Sequence, residues 1–266
     1  MAKLQDMFTQ ARRAQSNGGM GFLGKSRNET KARSAALVIE LDTITAGSAE
    51  AALKAGADGI LFNWDGGDTA HFETLKQEAA AAKAHNDNSV LGLKITGGFD
   101  NLSSETLKNL KEQGVQYIIV PFNAPARLLA VETKDLEKVI VVPMRKDESY
   151  PLYIRNLTAF ENIAAVLLDF NLSDQLGTMT IEEVLDYRAV REAVRFPAFI
   201  YVSQKLSEAD AFTINTLGVQ AVILSAKDTE EATREHIKSL RELLEKVHQD
   251  ENPKDAPTVT SINRGK

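Results

Sequence analysis

Short apolar runs rich in Val and Ile recur along the chain, each bounded by turn residues: Ala36 to Leu41, Asp58 to Asn63, Val90 to Ile95, Gln116 to Pro121, Lys138 to Pro143, Ala164 to Asp169, Ala198 to Ser203 and Gln220 to Ser225. Runs of this length between turn signals are the pattern of strands buried on both faces. Between most of them lie segments with helical period and good helix formers, at Ala49 to Lys54, Phe72 to His85, Glu105 to Glu112, Ile181 to Val194, Glu208 to Leu217 and Thr229 to Val247. Strand and helix alternate, which predicts parallel βαβ units.

Three helix-to-strand joints repeat one local grammar, around Gly56, Gly114 and Gly218. Each glycine stands where a left-handed helix C-cap is expected, and a buried strand begins about two residues later. Helix starts are marked as well. Thr180 with Glu183 has the spacing of a capping box, and Ser48, Ser207 and Asp228 are candidate N-caps. Eight units in about 210 residues predict one α/β domain, a (β/α)8 TIM barrel, and the G-x-G-x-x-G turn of a doubly wound dinucleotide-binding sheet is missing. Residues 35–248 form the expected barrel. Residues 1–34 are read as an extra amphipathic helix, Lys3 to Gln15, followed by an arm that enters from the N-terminal side of the barrel. Residues 249–266 lose the periodicity, contain Pro253 and Pro257, and read as a flexible tail.

Strand alternation then predicts which polar residues line the mouth. With Leu37, Ile39 and Leu41 facing the helices, Val38, Glu40 and Asp42 turn inward. The same parity turns Asn63 and Asp65 inward on the second strand, Lys94 on the third, Asn123 at the end of the fourth and Arg145 beyond the fifth. It does so for Asp169 and Asn171 on the sixth and for Ser225 and Lys227 on the eighth. Strand seven is open between Ser203 with Lys205 and Gln204. All lie at the C-terminal ends of their strands, the end at which barrels of this kind carry chemistry. An inward lysine must be paired or desolvated, so Lys94 is a candidate nucleophile or electrophile. Its structural alternative is an ion pair with Glu40 or Asp169. Those carboxylates are candidate proton carriers. They could also hold a divalent metal with Asp42 and Asp65, although no ligand spacing specific to a metal is present and the cofactor question stays open.

Charge narrows the function classes. The chain carries 31 Lys and Arg against 37 Asp and Glu, a net charge of -6, which argues against a nucleic-acid partner. No apolar run reaches the roughly 18 residues of a membrane span. The absence of cysteine excludes thiolate ligands and a cysteine nucleophile, and fits a reducing, cytoplasmic setting. His71 could reach the mouth, whereas His85, His236 and His248 fall near exposed helix ends. The cluster Arg12, Arg13, Lys25, Arg27, Lys31 and Arg33 could bind an anion, but the favoured reading is that this extension closes the barrel floor. The loop from Asn171 to Thr180 is a candidate lid.

The segments from Ser48 to Ile60 and from Leu217 to Ser225 resemble the aldolase-type and ribulose-phosphate-binding groups of TIM barrels, over roughly residues 35–247. That resemblance implies an anionic substrate held on the loops after strands seven and eight. Here those loops, Ser203-Gln-Lys-Leu-Ser and Ser225-Ala-Lys-Asp-Thr, contain no glycine, so Lys205, Ser225 and Lys227 would supply the contacts through side chains. A class I aldolase lysine commonly sits on strand six, where this chain has Asp169. The expectation is a lyase or isomerase acting on a small anionic carbonyl compound, with Lys94, Glu40 and Asp169 as catalytic groups. Asn63, Asn123, Arg145, Lys205, Ser225 and Lys227 are the expected substrate contacts. The alternative is a non-catalytic barrel serving as a binding or scaffold subunit, as a homo-oligomer or with an assembly partner.

Overall fold

The computed structural model describes residues 4–13, 31–131, 134–172, 176–203 and 205–251. Its elements are α1 (Leu4–Ala11), β1 (Ala36–Leu41), α2 (Ser48–Ala55), β2 (Gly59–Asp65), α3 (Phe72–His85), β3 (Val90–Gly97), α4 (Ser104–Glu112), β4 (Tyr117–Val120), α5 (Arg127–Ala130), β5 (Glu137–Pro143), α6 (Tyr150–Ile154), β6 (Ile163–Asp169), α7 (Ile181–Val194), β7 (Ala198–Val202), α8 (Glu208–Leu217), β8 (Ala221–Ala226) and α9 (Glu231–Glu251). The strands pair in parallel in sequence order, and β8 returns to β1 to close the barrel. No described helix is long and apolar enough to cross a membrane.

The alternation divides the apolar residues into two cores. Leu37, Ile39, Ile60, Phe62, Leu91 and Leu93 pack outward beneath the helices. Val38, Leu61, Ile119, Val139, Leu167, Phe199 and Ile223 pack inward and fill the barrel. The inner core continues into α1, whose Leu4, Met7, Phe8 and Ala11 recur at helical spacing and are all buried. They join Ala36, Val90 and Ala221 at the starts of their strands, so α1 seals the N-terminal end. The Leu4 amide donates to Glu137 Oε2 at 2.7 Å, and the Phe8 ring meets Phe199 edge-on at 5.3 Å. The expected floor is in place. Residues 14–30, with most of the arm, and residues 252–266 of the tail lie outside the described residues, as do two of the basic residues, Lys25 and Arg27.

The joint glycines take positive φ, at 120° for Gly56, 98° for Gly114 and 71° for Gly218. Thr180 with Glu183 and Ser207 with Asp210 both form complete capping boxes. Two expected caps are corrected. Gly47, not Ser48, is the N-cap of α2, because Glu78 reaches over from α3 and accepts the Gly47 and Ala49 amides at 2.6 and 2.7 Å. A carboxylate satisfies two orphan N–H groups better than one hydroxyl does. Asp228 accepts the Glu230 amide at 3.0 Å in the turn before α9. The helix Lys3 to Gln15 is also shorter in its described part, ending at Ala11 with Arg12 and Arg13 in a turn. The short helices α5 and α6 leave no legible period in the sequence, because four and five residues are too few to display a helical stripe.

Gly92 on β3 faces inward under the Tyr117 ring, and a Cβ there would fall 2.2 Å from Tyr117 Cζ. Tyr117 in turn stacks on Phe199 at 6.2 Å, which leaves the ring nowhere to retreat. Gly92→Ala is therefore expected to cost about 3 kcal/mol, the upper end for overpacking, and to lower Tm by roughly 6–12 °C for a domain of this size. A differential scanning calorimetry trace with unchanged Tm would show that the barrel interior is not filled as described.

Candidate functional site

Glu40 is the one charged residue of β1, and inward parity drives its carboxylate into the barrel, where the residue is 4% exposed. Such a charge persists only when paired and hydrogen-bonded. Three other strands supply partners. Lys94 Nζ of β3 donates to Glu40 Oε1 at 2.8 Å, Tyr201 of β7 donates to the same oxygen at 3.2 Å, and Ser225 of β8 donates to Oε2 at 2.6 Å. Lys94 Nζ also donates to the Tyr201 hydroxyl at 2.7 Å, closing a ring of polar contacts across the barrel. The registers explain the convergence, since Glu40 lies beside Ser225 and Lys94 beside Asn63.

The pair is asymmetric. The Glu40 side chain is 5% exposed and that of Lys94 is 30% exposed, so the ammonium is the member that meets the mouth. An ammonium has three donors, and the described oxygens take two of them. Burial raises the pKa of Tyr201 above the ordinary phenol value, and the negative charges of Glu40 and then Asp169 and the bond to Glu40 push the same way. The phenol therefore stays neutral, accepting from Lys94 while donating to Glu40.

Around this ring the other expected residues fall into two groups. Asp169 lines a cleft of about 370 Å³ together with Asn171, Tyr201, Ser203 and Ser225. Asn63 donates to Asp42 Oδ1 at 3.3 Å, and its own Oδ1 is buried without a partner among the described residues, an open acceptor next to Lys94 in register. Lys205 and Lys227 are exposed, with no carboxylate within ion-pair distance among the described residues. Arg145 and Asn123 do not join the ring. The Arg145 guanidinium lies 5.9 Å from the Phe122 ring centre and 5.5 Å from that of Tyr150, and Asn123 is exposed in the loop after β4.

Other expectations resolve locally. Asp65 accepts the Gly67 amide at 3.0 Å in its own loop, and among the described residues no three His, Asp or Glu side chains gather as a metal-holding group. His71 is bound to Asp68 at 2.7 Å in the exposed turn before α3. Residues 173–175 of the expected lid lie outside the described residues; its later part is anchored, with Leu176 buried and Gly177 against Asp210 of α8. On β7 the inner core holds Phe199 and Tyr201, so Ser203 and Lys205 have inward parity, while Gln204 lies outside the described residues. Tyr201 is the functional candidate that sequence reading missed. The available signal was the parity of Phe199, Tyr201 and Ser203.

No family model matches the chain, and no curated protein matches it by sequence. Solved structures do match it in shape. HpcH/HpaI aldolase from Desulfitobacterium hafniense DCB-2 is similar over 91% of this chain and 97% of its own, with TM-score 0.55 and 10% identity. The YdjI aldolase from Escherichia coli K12 is similar over 79% of this chain and 91% of its own, with TM-score 0.56 and 13% identity. Mycobacterium tuberculosis tryptophan synthase is similar over 81% of this chain and 92% of its own, with TM-score 0.57 and 15% identity. Likeness at such identities is likeness of fold. The chain has the (β/α)8 TIM-barrel fold that these enzymes share, as its eight units and glycine joints led us to expect.

Tyr117, wholly buried, shares the upward shift of Tyr201, again from burial first. The stability that these protonated phenols contribute is fully present below their unfolded pKa of about 10 and is lost as pH rises beyond it. Burial also raises Tyr150 and Tyr187, so alkaline titration followed at 295 nm should leave at least Tyr117 and Tyr201 of the five tyrosines un-ionised until the barrel unfolds. Tyr201→Phe should remove one of these late phenols, and five phenols titrating together in folded protein would contradict the assignment.

Proposed function

We propose that the chain is a small-molecule enzyme, a lyase or isomerase that acts beside a carbonyl group of an anionic metabolite, with its site at the C-terminal mouth of the barrel. The observation that carries this reading is Lys94 Nζ held at 2.8 Å by Glu40 and at 2.7 Å by Tyr201 while its side chain opens to the mouth. Glu40 accepts a proton from Nζ, the neutral amine adds to the carbonyl carbon, and return of that proton to the carbinolamine hydroxyl expels water and leaves a protonated imine. The imine draws electrons from the adjacent C–C or C–H bond. Asp169, which lines the cleft beside Tyr201 and Ser225, is assigned to carry the proton released or returned there. If no imine forms, the ammonium polarises the carbonyl oxygen instead.

The anionic end of the substrate is assigned to Ser225, Lys205 and Lys227, side-chain donors standing in for a glycine-rich backbone cradle. Asn63, beside Lys94 in register, is assigned to the substrate as well, and Asn123 and Arg145 would bound the opposite rim. The cysteine-free composition supports a cytoplasmic setting.

A second reading, a binding or scaffold subunit, is favoured by a separate observation. Leu152 and Tyr153 of α6, Phe160 just beyond it and Ile181 and Leu185 of α7 are large apolar residues left between 39% and 81% exposed on elements that pack together. Such a patch is typical of a face that meets another protein.

Incubation with oxo-acids and sugar phosphates followed by borohydride, read by peptide mass spectrometry, should add the reduced substrate to the peptide bearing Lys94. Lys94→Arg keeps the buried charge partner of Glu40 and should abolish the adduct without a large change in Tm. Lys94→Met strands the Glu40 carboxylate and should cost about 3–5 kcal/mol. Absence of an adduct at Lys94 with every substrate would overturn the covalent role. A stable complex in native mass spectrometry, lost on Leu152→Glu with no adduct formed, would favour the subunit reading.

A further inference from the structure

At the other end of the barrel, α1 and the C-terminal end of α7 enclose a second cleft, of about 520 Å³. Four arginines line it, Arg12 and Arg13 from the turn after α1 and Arg191 and Arg195 from α7 and the residue after it, and among the described residues no carboxylate does. In a chain of net charge -6 this is a local inversion of sign. The partners of these guanidinium groups are neutral. Arg191 donates to the Gly218 carbonyl at 2.9 Å and to Gln220 Oε1 at 3.0 Å, and Arg12 donates to the Val219 carbonyl at 3.3 Å. Arg13 and Arg195 make no side-chain hydrogen bond or ion pair among the described residues, while nearby Glu192 is held by Arg188 at 2.6 Å.

Capping of helix and loop carbonyls accounts for Arg12 and Arg191. It leaves Arg13 and Arg195 unexplained. Bringing four like charges around one open cleft costs self-repulsion, which a bound anion would relieve. Burial lowers the pKa of Arg191; Glu192 opposes that shift, and the Arg188 and Arg12 charges add to it. Planar guanidinium forks from two elements suit phosphate oxygens, which they bind two at a time. We infer that this floor cleft is a binding site for a small phosphate-bearing molecule carrying two or more negative charges, separate from the mouth and independent of the reaction there.

Isothermal titration calorimetry of the full chain with inorganic pyrophosphate at low salt tests this, in a Lys205→Met/Lys227→Met/Arg145→Met background that removes the exposed cations assigned to the mouth rim. Binding is expected at one site per chain. Adding Arg13→Gln and Arg195→Gln should weaken it at least tenfold, with Tm of the unliganded protein unchanged or raised as repulsion falls. Arg13→Gln alone, at an exposed position beyond α1, should show a smaller loss and serves if the multiple variant folds poorly. Pyrophosphate that fails to bind in the mouth-silenced background, or binds equally with and without the floor arginines, would overturn the inference.

Discussion

Everything in this molecule follows from closing a two-faced sheet on itself. Once β8 pairs with β1, every second side chain of every strand is confined to a space with two openings, and the other half is committed to the helix layer. One opening is stopped by the apolar stripe of α1, with Phe8 set against Phe199 and Phe199 against Tyr117. A polar inward residue therefore has a single way out to water. Glu40, Lys94, Tyr201 and Ser225 meet because the geometry leaves them nowhere else to be solvated.

The buried carboxylate organises that meeting. Glu40 engages both of its oxygens, with partners from three other strands, so the ring binds β1, β3, β7 and β8 together while filling the layer just under the mouth. The same contacts hold Lys94 in one position, and position is most of what a lysine needs to act on a carbonyl group. In the proposed reaction, support and chemistry share these residues. A substitution there moves stability and activity together, and the two can be separated only by changes that keep the charge, such as arginine for lysine.

The strands, the glycine caps and the inward parity of Glu40, Lys94, Asp169 and Ser225 were legible in the sequence, because period two and turn chemistry are local properties. Tyr201 was hidden for a local reason too: a tyrosine in an apolar run looks like core, and only its register against its neighbours shows the hydroxyl reaching Glu40. Lys138 behaves likewise, buried at the start of β5 and donating to the Val131 carbonyl. Parity says which face a residue takes but not how a long side chain bends, and Arg145 turns onto two aromatic rings instead of joining the polar ring. The meeting of Arg12 and Arg13 with Arg191 and Arg195 spans most of the chain and leaves no local trace.

The floor helix also sets an order of assembly. α1 is made before any strand of this barrel, yet its anchors are late in the chain: Leu4 binds a residue 133 positions on, and Arg12 binds one 207 positions on. Until β5 and β8 exist, the stripe of Leu4, Met7, Phe8 and Ala11 has no cavity to enter. On a ribosome it must wait, exposed, through the synthesis of nearly the whole barrel, and contacts of such separation are the slow ones to form. The element that comes early in synthesis is thus among the late ones to dock, and its interval outside the barrel is when the nascent chain is most open to chaperone capture or to aggregation.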